Sequence, residues 1–231
     1  AWFNPTLQGG FAGAEKAAWL VTHLLFDLKM MAMFSMLFGA GCVIMIERAL
    51  QRGRPAAGLY YQRLGWLLVI GLIHAYLIWF GDILVPYAVC GAALYPLARY
   101  LSPRLLIALA LPVLAVSVLF SAASGAFFDY ARDAAAAAAA GEPAPEGLAR
   151  AWEQISADFN PPEEALAAEA KTFRGGYLDR LPARAALSLE MHAFLLPAFL
   201  FWRVLGLMMI GAALAKTGVL LGARSRRFYA V

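Results

Sequence analysis

The stretch that most limits what this chain can become is RLGWLLVIGLIHAYLIWFGDILVPYAVCGAALYPLAR, residues 63 to 99. It reads as two apolar runs, Leu64 to Phe80 and Ile83 to Ala98, hinged at Gly81 and Asp82. A helix needs roughly 20 apolar residues to cross a bilayer core and tolerates about 17. Each run comes close to that length, so the stretch predicts a transmembrane helical hairpin. The rest of the chain agrees with a membrane setting. Hydrophobic residues make up 62% and charged residues 15%, where a soluble domain carries roughly 25% charge. Mean hydropathy is +0.67. The formal charge of +4 says nothing of nucleic acid, which is not an expected partner, because the charges sort by membrane side.

Five apolar spans follow from the pattern: about 30–46, 64–80, 83–98, 105–122 and 189–215. The predicted fold class is therefore all-α, a polytopic transmembrane bundle. Its first part, 1–123, holds spans one to four behind an outer-surface N-terminal segment. Residues 124–190 form a polar excursion of 60–70 residues, and 191–231 hold the fifth span and a basic end. Within the first span FSMLFGAGC offers Gly39, Ala40 and Gly41 as a surface that another helix can approach closely. The excursion carries an alanine run, 134–140, read as variable filler. Short amphipathic helices over 147–158 and 162–174 would lie on the outer face, as a lid or as a plain solvated excursion. The opening AWFNPTLQGG, with no initiator Met, and the closing ARSRRFYAV suggest a piece of a longer polypeptide.

Charge sets the topology. Connections 47–63, 99–104 and 216–231 hold ten Lys/Arg and one acid, Glu47, whereas 1–29, 81–82 and 124–190 hold fourteen acids and eight basic residues. An excess of Lys/Arg in short loops marks the cytoplasmic side. The basic connections are thus expected inside, and 124–190 outside. Trp79, Phe80 and Tyr87 fit an aromatic belt at the outer interface.

Ionisable residues inside apolar spans need partners or a purpose, since a central Arg or Asp costs about 2.5–3.5 kcal/mol on insertion scales. Arg203 sits near the middle of the fifth span, twelve residues from its end at Ala215, beyond easy snorkelling reach, and is expected to face the interior. There it either pairs within the bundle or grips an anionic ligand. His74 lies roughly 10 Å below the outer surface. It is either a core histidine or a base. On an ideal helix Asp82 is about 12 Å further along, beyond reach of His74 unless the hairpin bends, and could simply cap the next helix. Asp27, Lys29 and His23 form a polar cluster at the outer start of the first span, and His192 is read as interfacial. Cys42 and Cys90 have no metal-ligand spacing and are read as packing residues. The soluble-enzyme motifs GxSxG, HExxH, CxxC and the Walker loop are absent from the sequence.

FDLKMMAMFSMLFGAG (26–41), LIHAYLIWFGDILVPYAVCG (72–91) and FWRVLGLMMIGAALAKTGVL (201–220) resemble the blocks of the YeiB-like bacterial inner-membrane proteins, a domain family of unassigned role. That family is similar in architecture to membrane acyltransferases, including heparan-α-glucosaminide N-acetyltransferases. In those enzymes a membrane histidine passes an acyl group from cytosolic acyl-CoA to an acceptor, commonly a sugar, on the other side. The resemblance implies an inner-membrane location and acyl-CoA as a donor. It casts His74, with His23 as rival, as base or acyl carrier, and Asp82 or Asp27 as its orienting partner. Arg203 and Lys29 would hold the anionic end of a substrate, with Tyr76 and Trp79 beside it. A proton-coupled transporter of a small anion, with Arg203 binding and His74 relaying, is the rival reading, and a non-catalytic envelope scaffold is a third. Expected partners are the lipid bilayer and a small-molecule substrate; a homo-oligomer is compatible with the pattern.

Overall fold

The computed structural model describes residues 12–26, 29–159 and 161–229, so Asp27 lies outside the described residues. Every regular element among them is helical. In chain order these are α1 Gly13–Leu25, α2 Lys29–Gln51, α3 Ala56–Ile73, α4 Leu84–Tyr100, α5 Pro103–Ala139, α6 Glu146–Phe159, α7 Glu163–Arg174, α8 Tyr177–Glu190, α9 Phe201–Lys216 and α10 Arg226–Tyr229. Wider, π-helical turns extend α3 over His74–Ile78 and link α8 to α9 over Met191–Leu200. The chain divides into two compact units, Ala1–Asp27 with Leu119–Arg180, and Leu28–Val118 with Leu181–Val231.

The second unit is built on the crossing of α2 and α9. A Cβ added at Gly39 would run into the carbonyl of Met208, and one added at Gly211 into the carbonyl of Met36. Each glycine thus receives the other helix's backbone, the close approach that small residues permit in a membrane, where dispersion replaces the hydrophobic drive. Gly39 fulfils the expectation from FSMLFGAGC and Ala40 is buried, but Gly41 does not: a Cβ there meets nothing within 4 Å. Around the crossing, Val43, Leu94, Leu106, Val204, Met208 and Met209 are almost fully enclosed.

Among the described residues four helical stretches are long and apolar enough to cross a membrane, within Gly13–Gln51, Ala56–Ile78, Pro103–Ala139 and Tyr177–Lys216. The run expected as the third of five spans is α4, only 17 residues long with Pro96 inside it. Nine of its residues are buried, because α2, α3 and α9 all pack on it. It is the interior helix, and other helices carry the exposed apolar surface: Trp66, Ile70 and Ile73 on α3, Leu111 and Val118 on α5. Such faces are stable only against lipid or a partner. In the first unit α6 and α7 occupy the stretches expected to be amphipathic helices. The alanine run does not interrupt α5, which continues through it to Ala139; alanine is the strongest helix former, and no residue there stops the ladder.

Candidate functional site: the corner between α3 and α4

The hairpin expected at Gly81-Asp82 is a sharp corner rather than a continuation of α3. The last turn widens, with the Trp79 N–H donating to the His74 carbonyl at 2.8 Å, and Trp79 itself turns extended (φ −155°, ψ 127°). The Trp79 indole folds back over Gly81, where an added Cβ would lie 2.5 Å from the ring, so a larger residue there would push the indole aside. Gly71 allows the other side of the corner to close. A Cβ there would lie 2.8 Å from the Val85 nitrogen, so α3 and the start of α4 meet backbone to backbone.

Within this corner Asp82 is 1% exposed. Its Oδ2 accepts the Val85 N–H at 2.7 Å, satisfying one of the donors that every helix N-terminus leaves open. Its Oδ1 lies 2.9 Å from His74 Nδ1. Straight-helix geometry would hold these residues about 12 Å apart; the widened turn and the break at Trp79 fold that distance away. The cap role and the reach to His74 were separate expectations, and one carboxylate fills both. With a carboxylate on Nδ1, the favoured neutral tautomer carries its proton there and presents Nε2 as an acceptor. The His74 side chain keeps 30% of its exposure, so the ring is held yet reachable.

Helix breaks leave carbonyls without partners, and α8 supplies them. Ser188 Oγ donates to the Ala75 carbonyl at 2.7 Å, and an Arg184 guanidinium N–H donates to the Leu77 carbonyl. One turn on, the His192 ring lies 5.9 Å from that of Tyr76, and the Asp82 carboxylate is near enough to act on it by charge. His192 Nε2 is buried with no hydrogen-bond partner, as is Arg203 Nε at the start of α9. Pro197, which has no N–H to give, lies in the widened segment between them, a usual cause of such irregularity.

Of the residues singled out from sequence, His74, Asp82 and Trp79 meet at this corner, the indole edge-on to the imidazole at 6.4 Å. Tyr76 lies on the same turn and faces His192. Arg203 is half-buried, and among the described residues no hydrogen bond or ion pair joins it to His74 or Asp82. His23 belongs to α1 in the first unit, where it stacks on Trp19 with ring centroids 4.7 Å apart. Lys29 opens α2 and is exposed. Sequence reasoning placed His192 at an interface and passed over Ser188 altogether, and no pattern in the sequence marks either. A second polar pair was also missed: Ser35 Oγ and Tyr87 OH lie 2.7 Å apart, and both donate to the Met31 carbonyl.

Over 99% of its length the chain is similar to the uncharacterized protein YeiB of Escherichia coli (strain K12), at 28% identity, and the match takes in 52% of that protein. It is 44% identical over 94 residues, 41% of this chain, to the uncharacterized protein YxaH of Bacillus subtilis (strain 168), a match covering 23% of YxaH. A 39.9 kDa protein encoded in the amylase 3′ region of Bacillus acidopullulyticus is 37% identical over 70 residues, 30% of this chain and 20% of that one. The chain therefore spans about half the length of YeiB, and these similarities support a YeiB-like family. No family model matches, and no solved structure matches.

Proposed function

We propose that this chain is part of a YeiB-like protein of the bacterial inner membrane, with α4 as a fifth span, residues 124–190 outside and the basic connections in the cytoplasm. We propose further that the corner is an acyl-transfer site. The observation carrying this reading is the 2.9 Å contact between His74 Nδ1 and a buried Asp82 that is itself anchored on the α4 backbone. That is the arrangement of a base and its orienting carboxylate. In the forward step Nε2 takes the proton of an acceptor hydroxyl as the oxygen attacks the thioester carbonyl of acyl-CoA. The C–S bond then breaks, the imidazolium returns the proton to the leaving thiolate, and the products are an ester and free CoA. Asp82 stabilises the imidazolium between the two transfers. Tyr76 and Trp79 wall the acceptor, and Arg203 and Lys29 attract the anionic donor.

The test is acyl transfer by the whole natural protein in proteoliposomes, given labelled acetyl-CoA on one side and sugar acceptors on the other. His74→Ala and Asp82→Asn should each lower transfer by about 100-fold or more without loss of the folded protein. Transfer equal to that of the unsubstituted protein would reject the assignment. Arg203 favours a second reading, because a buried guanidinium nitrogen without a partner is suited to a small anionic solute, with His74 relaying a proton. Uptake of a tracer anion that needs a proton gradient and disappears in Arg203→Gln would select it. If neither activity responds to either substitution, the scaffold reading stands.

A further inference from the structure

Away from the corner, α2 and α3 enclose a groove that the proposed chemistry does not use. Its floor is a pocket of about 320 Å³ lined by Phe38, Gly41, Cys42, Tyr60, Leu64 and Leu67. That is the lower end of the size usual for ligand sites, roughly 300–1,000 Å³. A second pocket of about 310 Å³ shares Gly41, Met45 and Arg63 with the first and is lined by Arg48, Arg52, Arg54 and Arg63. The sequence spacing builds this arrangement. Phe38, Gly41, Met45 and Arg48 follow one face of α2, with Arg52 in the turn just past its end, and Tyr60, Arg63 and Leu67 follow one face of α3. The groove is therefore apolar along its length and cationic at its mouth. Among the described residues none of the four arginines has a carboxylate within 4.0 Å; Arg63 leans on the Met45 sulfur at 3.2 Å. Arginines that served topology alone would have no reason to gather over an apolar slot. The helices that form it also present exposed apolar faces, with Leu37 at 59% and Trp66 at 63%, so the slot lies along a lipid-facing surface.

We infer that this groove holds an anionic membrane lipid, its phosphate among Arg48, Arg52, Arg54 and Arg63 and one acyl chain against Phe38, Leu64 and Leu67. The inference is independent of the acyl-transfer reading and stands if that reading fails. Arginine forks suit phosphate oxygens, and clustered basic residues beside a membrane helix recognise anionic headgroups. Gly41 is the key to the acyl slot. It lies in mid-helix, exposed, with nothing within 4 Å of the position a Cβ would take, so a larger side chain would fill the slot without displacing the fold.

The test uses the whole natural protein, delipidated in detergent and titrated with dioleoylphosphatidylglycerol or dioleoylphosphatidylcholine, with bound lipid counted by native mass spectrometry. The anionic lipid should bind about tenfold more tightly or better. Gly41→Leu should lose most of that binding while keeping the helical circular-dichroism spectrum, and Arg48→Gln with Arg63→Gln should remove the headgroup preference while leaving weak binding of both lipids. Equal affinity for the two lipids, or lipid binding unchanged in Gly41→Leu, would overturn the inference. So would displacement of the anionic lipid by inorganic phosphate or acetyl-CoA at equal concentration, which would assign the arginines to a soluble phosphate. A dimer of the delipidated protein that Gly41→Leu dissociates would assign the slot to a second copy of the chain.

Discussion

The α2–α9 crossing and the α3–α4 corner lie in the same unit and solve opposite problems. At the crossing two glycines remove side chains so that carbonyl and Cα surfaces touch. At the corner the backbone is opened by a widened turn, and the freed carbonyls and a carboxylate are met one by one by Ser188, Arg184, Val85 and His74. The first arrangement has one solution and tolerates no added volume. The second holds polar groups at fixed positions, at the expense of regular hydrogen bonding. The contrast shows which part of a membrane bundle carries shape and which part is available for chemistry.

The contrast breaks most severely at the crossing. Gly211→Leu must push Met36 backbone away and should cost more than the usual 1–3 kcal/mol of overpacking; the measurement is the thermal midpoint in detergent, and a midpoint within 2 °C of the unsubstituted protein would refute the contact. Asp82→Ala strands both the Val85 N–H and the imidazole, and should cost about 2–3 kcal/mol. Asp82→Asn, which keeps an acceptor oxygen for Val85, should cost less while removing the charge from the imidazole. Equal losses for the two would mean that the charge, not the cap, holds the corner. Ser188→Ala leaves the Ala75 carbonyl unmet and should cost about 1 kcal/mol, visible as faster amide exchange near Trp79. At the small end, Gly41→Ala should be neutral or stabilising by roughly 0.5–1 kcal/mol, because nothing opposes the new methyl and the helix gains propensity. A clear loss there would mean that the groove is closed.

Much of this was legible in the chain itself. The apolar runs placed the helices, and Gly39 marked a close approach. His74 and Asp82 stood out because ionisable groups are scarce in such runs. Their contact was not legible, because periodicity assumes a regular ladder and the ladder changes its repeat at His74. Nor did FGAG distinguish Gly39, which touches α9, from Gly41, which faces open space; that depends on how the two helices are rotated. His192 looked peripheral because no local pattern tells that Pro197 will loosen the turn beside it. The limits of α5 were misjudged because the alanine run has low complexity, yet low complexity in alanine is a helix signal.

Gly71 rests on the nitrogen of Val85, whose hydrogen is held by Asp82, whose other oxygen holds the imidazole. The position of the ring is thus inherited from the main chain through a succession of three short links. Neighbouring side chains such as Tyr76 and Trp79 can therefore be exchanged, and the shape of the opening retuned, while the imidazole keeps its station.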